Sequence, residues 1–104
     1  MSLKEEQEKV DKWAQQFKNP YWTPHEILAR LVEETGELAR EINHIYGPKK
    51  KKPEEEKAEM ATELADIIFT VICIANSLNI DLDEAFQKVM EKCYNRDNSR
   101  YELK

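Results

Sequence analysis

A chain of 104 residues with a formal net charge of −5 is expected to form one domain over residues 1–104, with room for a single core. Its acidic balance argues against a nucleic-acid polymer as partner, because general nucleic-acid binding needs a basic face. Two glycines, four prolines, 36% charged and 40% hydrophobic residues suit long amphipathic helices rather than strands. β-Branched residues gather only at positions 67–74, inside a longer helical pattern. The opening Met1-Ser2-Leu3-Lys4-Glu5-Glu6 lacks the apolar stretch of a signal peptide, and the longest apolar run, residues 67–75, is broken by Thr70 and is far shorter than a bilayer requires. Cys73 and Cys93 form neither a C-x-x-C pair nor a Cys/His cluster. The expectation is a reduced, cytoplasmic protein without a membrane partner.

In chain order, Leu3, Val10, Trp13, Ala14 and Phe17 recur at helical spacing and predict a first helix over residues 3–18. Asn19-Pro20-Tyr21-Trp22 ends it, since the residue before a proline avoids the helical region. Thr23-Pro24-His25-Glu26 then opens a second helix with a capping box and a proline in the first turn. That helix runs to about Tyr46, where Gly47-Pro48 stops it. Pro48-Lys49-Lys50-Lys51-Lys52-Pro53 is a solvated loop. A third helix starts near Pro53 with Glu54-Glu55-Glu56, acids suited to a helix N-terminus, and continues to about Leu78. Asn79-Ile80 makes a turn, Asp81 opens a fourth helix that ends near Tyr94, and a polar tail follows. Four helices with short connections predict an all-α, four-helix bundle-like domain. Residues 64–75 are apolar nearly all round, more than so short a chain can cover, so helix three is expected to pack against another subunit of a homo-oligomer, a dimer or a tetramer.

The chemistry-bearing stretch is Glu33-Glu34-Thr35-Gly36-Glu37, answered on helix three by Glu63-Leu64-Ala65-Asp66. Carboxylates three residues apart share a helix face. Two such pairs brought together across a helical hairpin concentrate negative charge that needs a cation between them. Oxygen ligands and high charge density point to a hard divalent ion, Mg²⁺ or Mn²⁺ before Zn²⁺. At roughly 100° per residue, the apolar stripe of helix two leaves Glu34 at its edge, Glu37 and Glu41 just outside, and Glu33 nearly opposite. Glu34 and Glu37 are therefore the inward pair. On helix three, Glu59, Glu63, Asp66 and Thr70 share a sector of about 60°. Asp66 stands among Leu64, Ala65, Ile67 and Ile68 with no Lys or Arg within a turn, so its carboxylate is expected to be partly buried and to require a partner. Glu41 and His44 form an E-x-x-H, but a di-iron bundle needs two such motifs and the only other histidine, His25, has no glutamate three residues before it.

E-E-x-x-E on helix two followed by E-x-x-D on helix three resembles the MazG-like nucleotide pyrophosphohydrolases of the all-α NTP pyrophosphatase superfamily. The resemblance extends through residues 29–41, through residues 63–75, and to Lys92 and Arg96 at the end of helix four, covering residues 20–100. It implies Mg²⁺-dependent hydrolysis of a nucleoside triphosphate to the monophosphate and pyrophosphate, with Mn²⁺ as a substitute, and house-cleaning of non-standard nucleotides as a biological setting. It implies metal binding by Glu34, Glu37, Glu63 and Asp66, catalytic roles for Glu34 and for Glu33 near the attacking water, and phosphate contacts from Lys92 and Arg96. Family members carry an Asn between that Lys and Arg; here Tyr94 stands midway and Asn95 follows it, so Asn95 is the candidate for that contact. Trp22, just ahead of helix two, is the candidate for base stacking. Two rival readings stand beside this one. The first is another hydrolase of the superfamily, acting on dUTP or phosphoribosyl-ATP. The second is a non-catalytic helical interaction module.

Overall fold

The computed structural model describes the backbone of residues 1–47 and 53–104, and the side chains of these apart from residues 53–58. The lysine loop lies outside the described residues, as do the side chains of the acidic cluster at positions 54–56. Among them the chain is all-helical: α1 (Leu3–Ala14), α2 (Pro24–Tyr46), α3 (Pro53–Ser77), α4 (Leu82–Asn95), and a short 3-10 turn, Asp97–Arg100.

Local chemistry sets each boundary. Ser2 caps α1 by accepting from the Glu5 N–H at 3.0 Å. The helix ends at Ala14, four residues short of the expected end. Gln16 and Phe17 donate three residues back, to Trp13 and Ala14, and this tighter winding closes the last turn. The capping box of α2 is complete: the Glu26 N–H donates to Thr23 Oγ1 at 3.4 Å, and the Thr23 N–H donates back to Glu26 Oε1 at 3.0 Å. α3 ends in a Schellman turn. Asn79 takes the left-handed conformation (φ 56°), Ile80 N–H donates to Ala75 O at 2.8 Å, and Asn79 N–H donates to Asn76 O at 3.3 Å. Asp81 then caps α4, accepting from the Asp83 and Glu84 N–H groups.

Packing is uneven. α2 and α3 lie along each other as the main pair, α1 packs on α3, and α4 is tethered chiefly through α1. Polar bonds make part of that tether: Leu3 N–H donates to Asp83 Oδ1 at 3.0 Å, and Leu82 N–H donates to Gln7 Oε1 at 2.9 Å. The fully buried apolar residues among those described are few: Ala14, Ile27, Ile72 and Ala75. Much of the predicted apolar stripe stays open, including Val32 (65% exposed) and Leu28 on α2, Ile68 and Leu64 on α3, and Phe86 and Val89 on α4. The radius of gyration is 17.0 Å, against about 13 Å for a compact domain of this length. The accessible surface is 8415 Å², about 2,300 Å² more than a compact monomer of this mass presents.

One expectation about α3 changes. The uninterrupted apolar run is short, but the window Glu59–Ser77 spans 19 residues at a mean hydropathy of 1.4, long and apolar enough by length and composition to cross a membrane. Thr70 interrupts the apolar run without exposing its hydroxyl, which donates to Asp66 O at 2.8 Å within the helix. Core helices of globular domains pass the same length test, and this one carries Glu63 and Asp66 in its middle, where lipid strongly disfavours carboxylates.

Candidate functional site

The site lies on the facing surfaces of α2 and α3. Glu34, at the edge of the α2 stripe, is driven inward by its apolar neighbours and is 1% exposed. Glu37, one turn on, and Glu63 of α3 are half-buried. Each of these three residues offers a carboxylate oxygen within 4.8 Å of the others. Burial pushes the Glu63 carboxyl up to about 7, with a Glu37 hydrogen bond and the charges of Glu37 and Glu34 adding to the rise. Glu34 Oε2 and Glu63 Oε2 are both buried without a hydrogen-bond partner. Two unpartnered buried oxygens in a three-carboxylate cluster leave open acceptor positions that a hard divalent cation fits.

Asp66 stands outside the 4.8 Å cluster, half-buried, and lines an adjoining cavity of about 510 Å³ together with Glu34. Its lining combines the charged Arg30, Glu34 and Asp66 with the aromatic Trp13, Phe17, Tyr21, Trp22 and Phe69. Trp13 makes edge-to-face contacts with Phe17 (centroids 5.1 Å apart) and with Phe69 (6.0 Å). Trp22 is 59% exposed and presents a ring at the cavity wall. An aromatic-lined cavity that shares Glu34 with the carboxylate cluster can hold a flat ring and a metal-bound anion in one ligand.

The structure brings Glu34, Glu37 and Glu63 together, and it places Asp66 and Trp22 on the adjoining cavity. Glu33 faces outward, as the helical wheel indicated, and pairs with Arg30 at 3.2 Å. Arg30 also pairs with Glu34, so one guanidinium ties the exposed and the buried glutamate together. Lys92, Asn95 and Arg96 are exposed at the end of α4, outside the cavity lining, with Arg96 paired to Asp97 at 2.8 Å.

Sequence reasoning missed Arg30, although its spacing to Glu33 and Glu34 (i+3 and i+4) is a readable signal. The helical wheel also sets Glu41 just outside the apolar stripe of α2. Glu41 is in fact buried at 3% exposure, with His44 Nδ1 3.9 Å from its Oε2.

An all-helical chain that pairs two helices around clustered carboxylates beside an aromatic cavity has the architecture of a nucleotide-hydrolysing enzyme. Residues 22–101 match the family model of the MazG nucleotide pyrophosphohydrolase domain, and the chain belongs to that family of enzymes. Among its relatives, YpjD of Bacillus subtilis (strain 168) is 47% identical over 103 residues, covering 99% of this chain and 93% of YpjD. YvdC of the same organism is 28% identical over 98 residues, covering 84% and 92%. The crystal structure of Bacillus subtilis YpjD superposes with a TM-score of 0.80 at 48% identity, covering 88% of this chain and 94% of that one. The crystal structure of the Bacillus-conserved MazG protein, a nucleotide pyrophosphohydrolase, gives a TM-score of 0.79 at 45% identity, covering 95% and 96%.

Proposed function

We propose that this enzyme hydrolyses nucleoside triphosphates, ribo- or deoxyribo-, to the monophosphate and pyrophosphate in a Mg²⁺-dependent reaction, with Mn²⁺ able to substitute. The observation that carries this reading is the meeting of Glu34, Glu37 and Glu63 within 4.8 Å at the edge of an aromatic cavity. These three residues, joined by Asp66 from the cavity side, would hold the ion. Bound Mg²⁺ supplies neutralisation of the phosphate oxygens and a more acidic water.

The chain's own groups do the rest. Glu34, with one oxygen tied to Arg30 and Oε2 buried without a donor, would serve catalysis by fixing the ion beside the attacking water. Glu33, held at the rim by Arg30, supports that role through the shared guanidinium. Trp22 stacks on the base, and the Trp13–Phe69 contact braces the cavity beside it. Lys92, Asn95 and Arg96 serve the phosphates.

Arg30 is the one basic residue among those lining the cavity, and it is already paired with two glutamates. A polyphosphate therefore needs cationic help from elsewhere. A homo-oligomer, dimer or tetramer, provides it: a second copy covers the open apolar faces of α2, α3 and α4 and brings its own α4 to the site. The accessible surface in excess of a compact monomer is of the order that a stable subunit interface buries. We read the apolar window of α3 as this interface, in a cytoplasmic protein without membrane or nucleic-acid partners.

The test is pyrophosphate release from a panel of standard and modified NTPs and dNTPs, with Mg²⁺ and with EDTA. Metal-dependent formation of monophosphate plus pyrophosphate is expected. Release of single phosphates, or no turnover of any nucleotide by a protein that still binds Mg²⁺, defeats the reading.

A further inference from the structure

Residues 18–22 lie between the closing turn of α1 and the cap of α2 and supply Asn19, Pro20, Tyr21 and Trp22 to the cavity wall. Among the described residues, this segment makes no backbone–backbone hydrogen bond. A loop without such bonds keeps its shape only through side-chain anchors. Here, among the described residues, the hydrogen-bonding anchor is one hydroxyl. Tyr21 OH donates to Asp11 Oδ1 at 2.6 Å and accepts from Asn76 Nδ2 at 3.0 Å. The short bond to a carboxylate is of the charge-assisted kind. Tyr21 thereby fastens the loop to α1 through Asp11 and to α3 through Asn76.

The far side of the clamp is itself immobilised. Asn76 Nδ2 also donates to Gln7 O at 3.0 Å, while the Gln7 amide donates to Asn76 Oδ1 at 3.0 Å and to Ile80 O at 2.7 Å. Gln7 is 7% exposed, so this network sits where unmade bonds are costly. Burial and the Asp11 bond push the Tyr21 hydroxyl up to about 12, and the Tyr21 bond holds the Asp11 carboxyl below its ordinary value. The donor stays protonated and the acceptor stays charged across the neutral range.

We propose that Tyr21 is a positioning residue for the nucleotide: its hydroxyl, clamped between Asp11 and Asn76, holds the Pro20-Tyr21-Trp22 wall where the base stacks, and so sets KM rather than kcat. The inference rests on the nucleotide reading above. Neither Tyr21 nor Asp11 belongs to the carboxylate cluster, so loosening the clamp leaves the metal ligands and the attacking water in place. What is lost is order in the wall that receives the base, and ordering it costs binding free energy when substrate arrives.

The experiment compares wild type with Tyr21→Phe, Asp11→Ala and Asp11→Asn, using the best substrate of the NTP panel. Tyr21→Phe and Asp11→Ala are expected to raise KM about tenfold with kcat within a factor of two. Asp11→Asn retains an acceptor for the hydroxyl and should stay within about threefold of wild type. The double variant should be no worse in KM than Tyr21→Phe alone, because the Tyr21–Asp11 bond is already absent there and the other bond that Asp11 accepts, from Gln15, is exposed on α1. A second readout is independent of turnover: trypsin cleavage after Lys18, inside the loop, should accelerate about tenfold in Tyr21→Phe, while cleavage after Lys12, inside α1, stays at the wild-type rate. A fall in kcat at unchanged KM, Asp11→Asn as damaging as Asp11→Ala, or equal acceleration at Lys12 and Lys18 overturns the proposal. A wild type inactive on every nucleotide defeats the nucleotide reading instead, and the Lys18 rate then decides the clamp alone.

Discussion

Glu34 of α2 and Glu63 of α3 face each other across the helical pair, each with one buried carboxylate oxygen that has no hydrogen-bond partner. Such an arrangement is unfavourable unless a proton or a cation is shared. With Glu37 it forms a cluster in which protonation and metal binding compete for the same oxygens.

That competition fixes a pH dependence. The Glu63 carboxyl is raised from an ordinary 4.5 to about 7. A carboxyl raised in the fold favours the folded state in its protonated form, so its contribution is complete below about 4.5 and is lost as pH rises through 7. In EDTA, the melting temperature should fall between pH 5 and pH 8. Mg²⁺ needs the ionised cluster, so its stabilising effect should be small at pH 5 and grow above pH 7. Glu63→Gln should flatten both trends. Thermal melts at four pH values, with and without Mg²⁺, check this; a flat curve for wild type in EDTA would falsify it.

The two neighbouring glutamates of α2 should separate cleanly. Glu34 is buried in the cluster, whereas Glu33 faces outward and reaches it only through Arg30. Glu34→Gln is expected to lose both turnover and the Mg²⁺-induced rise in melting temperature. Glu33→Gln should keep the Mg²⁺ shift and lose turnover by about 10²-fold, the lower end of the usual range for a group assisting proton transfer. Isothermal titration with Mg²⁺ alongside initial rates distinguishes them, and loss of metal binding in Glu33→Gln counts against the division of roles.

Legibility varied with how local the determining physics was. The capping box at Thr23 and Glu26 depends on four consecutive residues, and it forms as read. Glu34 as an inward residue of α2 followed from the 3.6-residue period alone. The end of α1 was misplaced because Phe17 continues the apolar period after the backbone has switched to i→i−3 bonding. The Tyr21–Asp11–Asn76 clamp was invisible, since its members come from α1, a loop and α3, and no spacing rule links them. Lys92 and Arg96 show a different limit. Their place on α4 was readable, but α4 is held chiefly by α1 and does not line the cavity, so their reach depends on assembly.

Assembly makes its own prediction. Ile68 is 55% exposed on α3, so in a lone chain an acidic residue there meets mostly solvent. If a second copy covers that face, Ile68→Glu buries an unpaired charge in the interface, a change that costs several kcal/mol. Wild type is expected to sediment as a dimer or tetramer and Ile68→Glu as a smaller, still helical species. Analytical ultracentrifugation with circular dichroism reads both properties. A monomeric wild type that turns over nucleotide at full rate would remove the need for a partner copy.

The two glycines should respond oppositely to alanine. Gly36 sits inside α2, between Glu34 and Glu37, and a Cβ there meets nothing within 4 Å. Glycine in a helix interior costs about 1 kcal/mol relative to alanine, and nothing around Gly36 in the chain requires the missing side chain. Gly36→Ala should therefore raise the melting temperature of the metal-free protein by several degrees, the response of a domain of this size to about 1 kcal/mol. Gly47 closes α2, where a Cβ would run into the Asn43 carbonyl, which is backbone and cannot swing aside. Gly47→Ala should lower the melting temperature by a similar or larger amount. Turnover of Gly36→Ala adds a second reading. If activity falls although the helix is more stable, the space above Gly36 is filled by substrate or by the second copy, and the glycine is retained for that contact rather than for the fold.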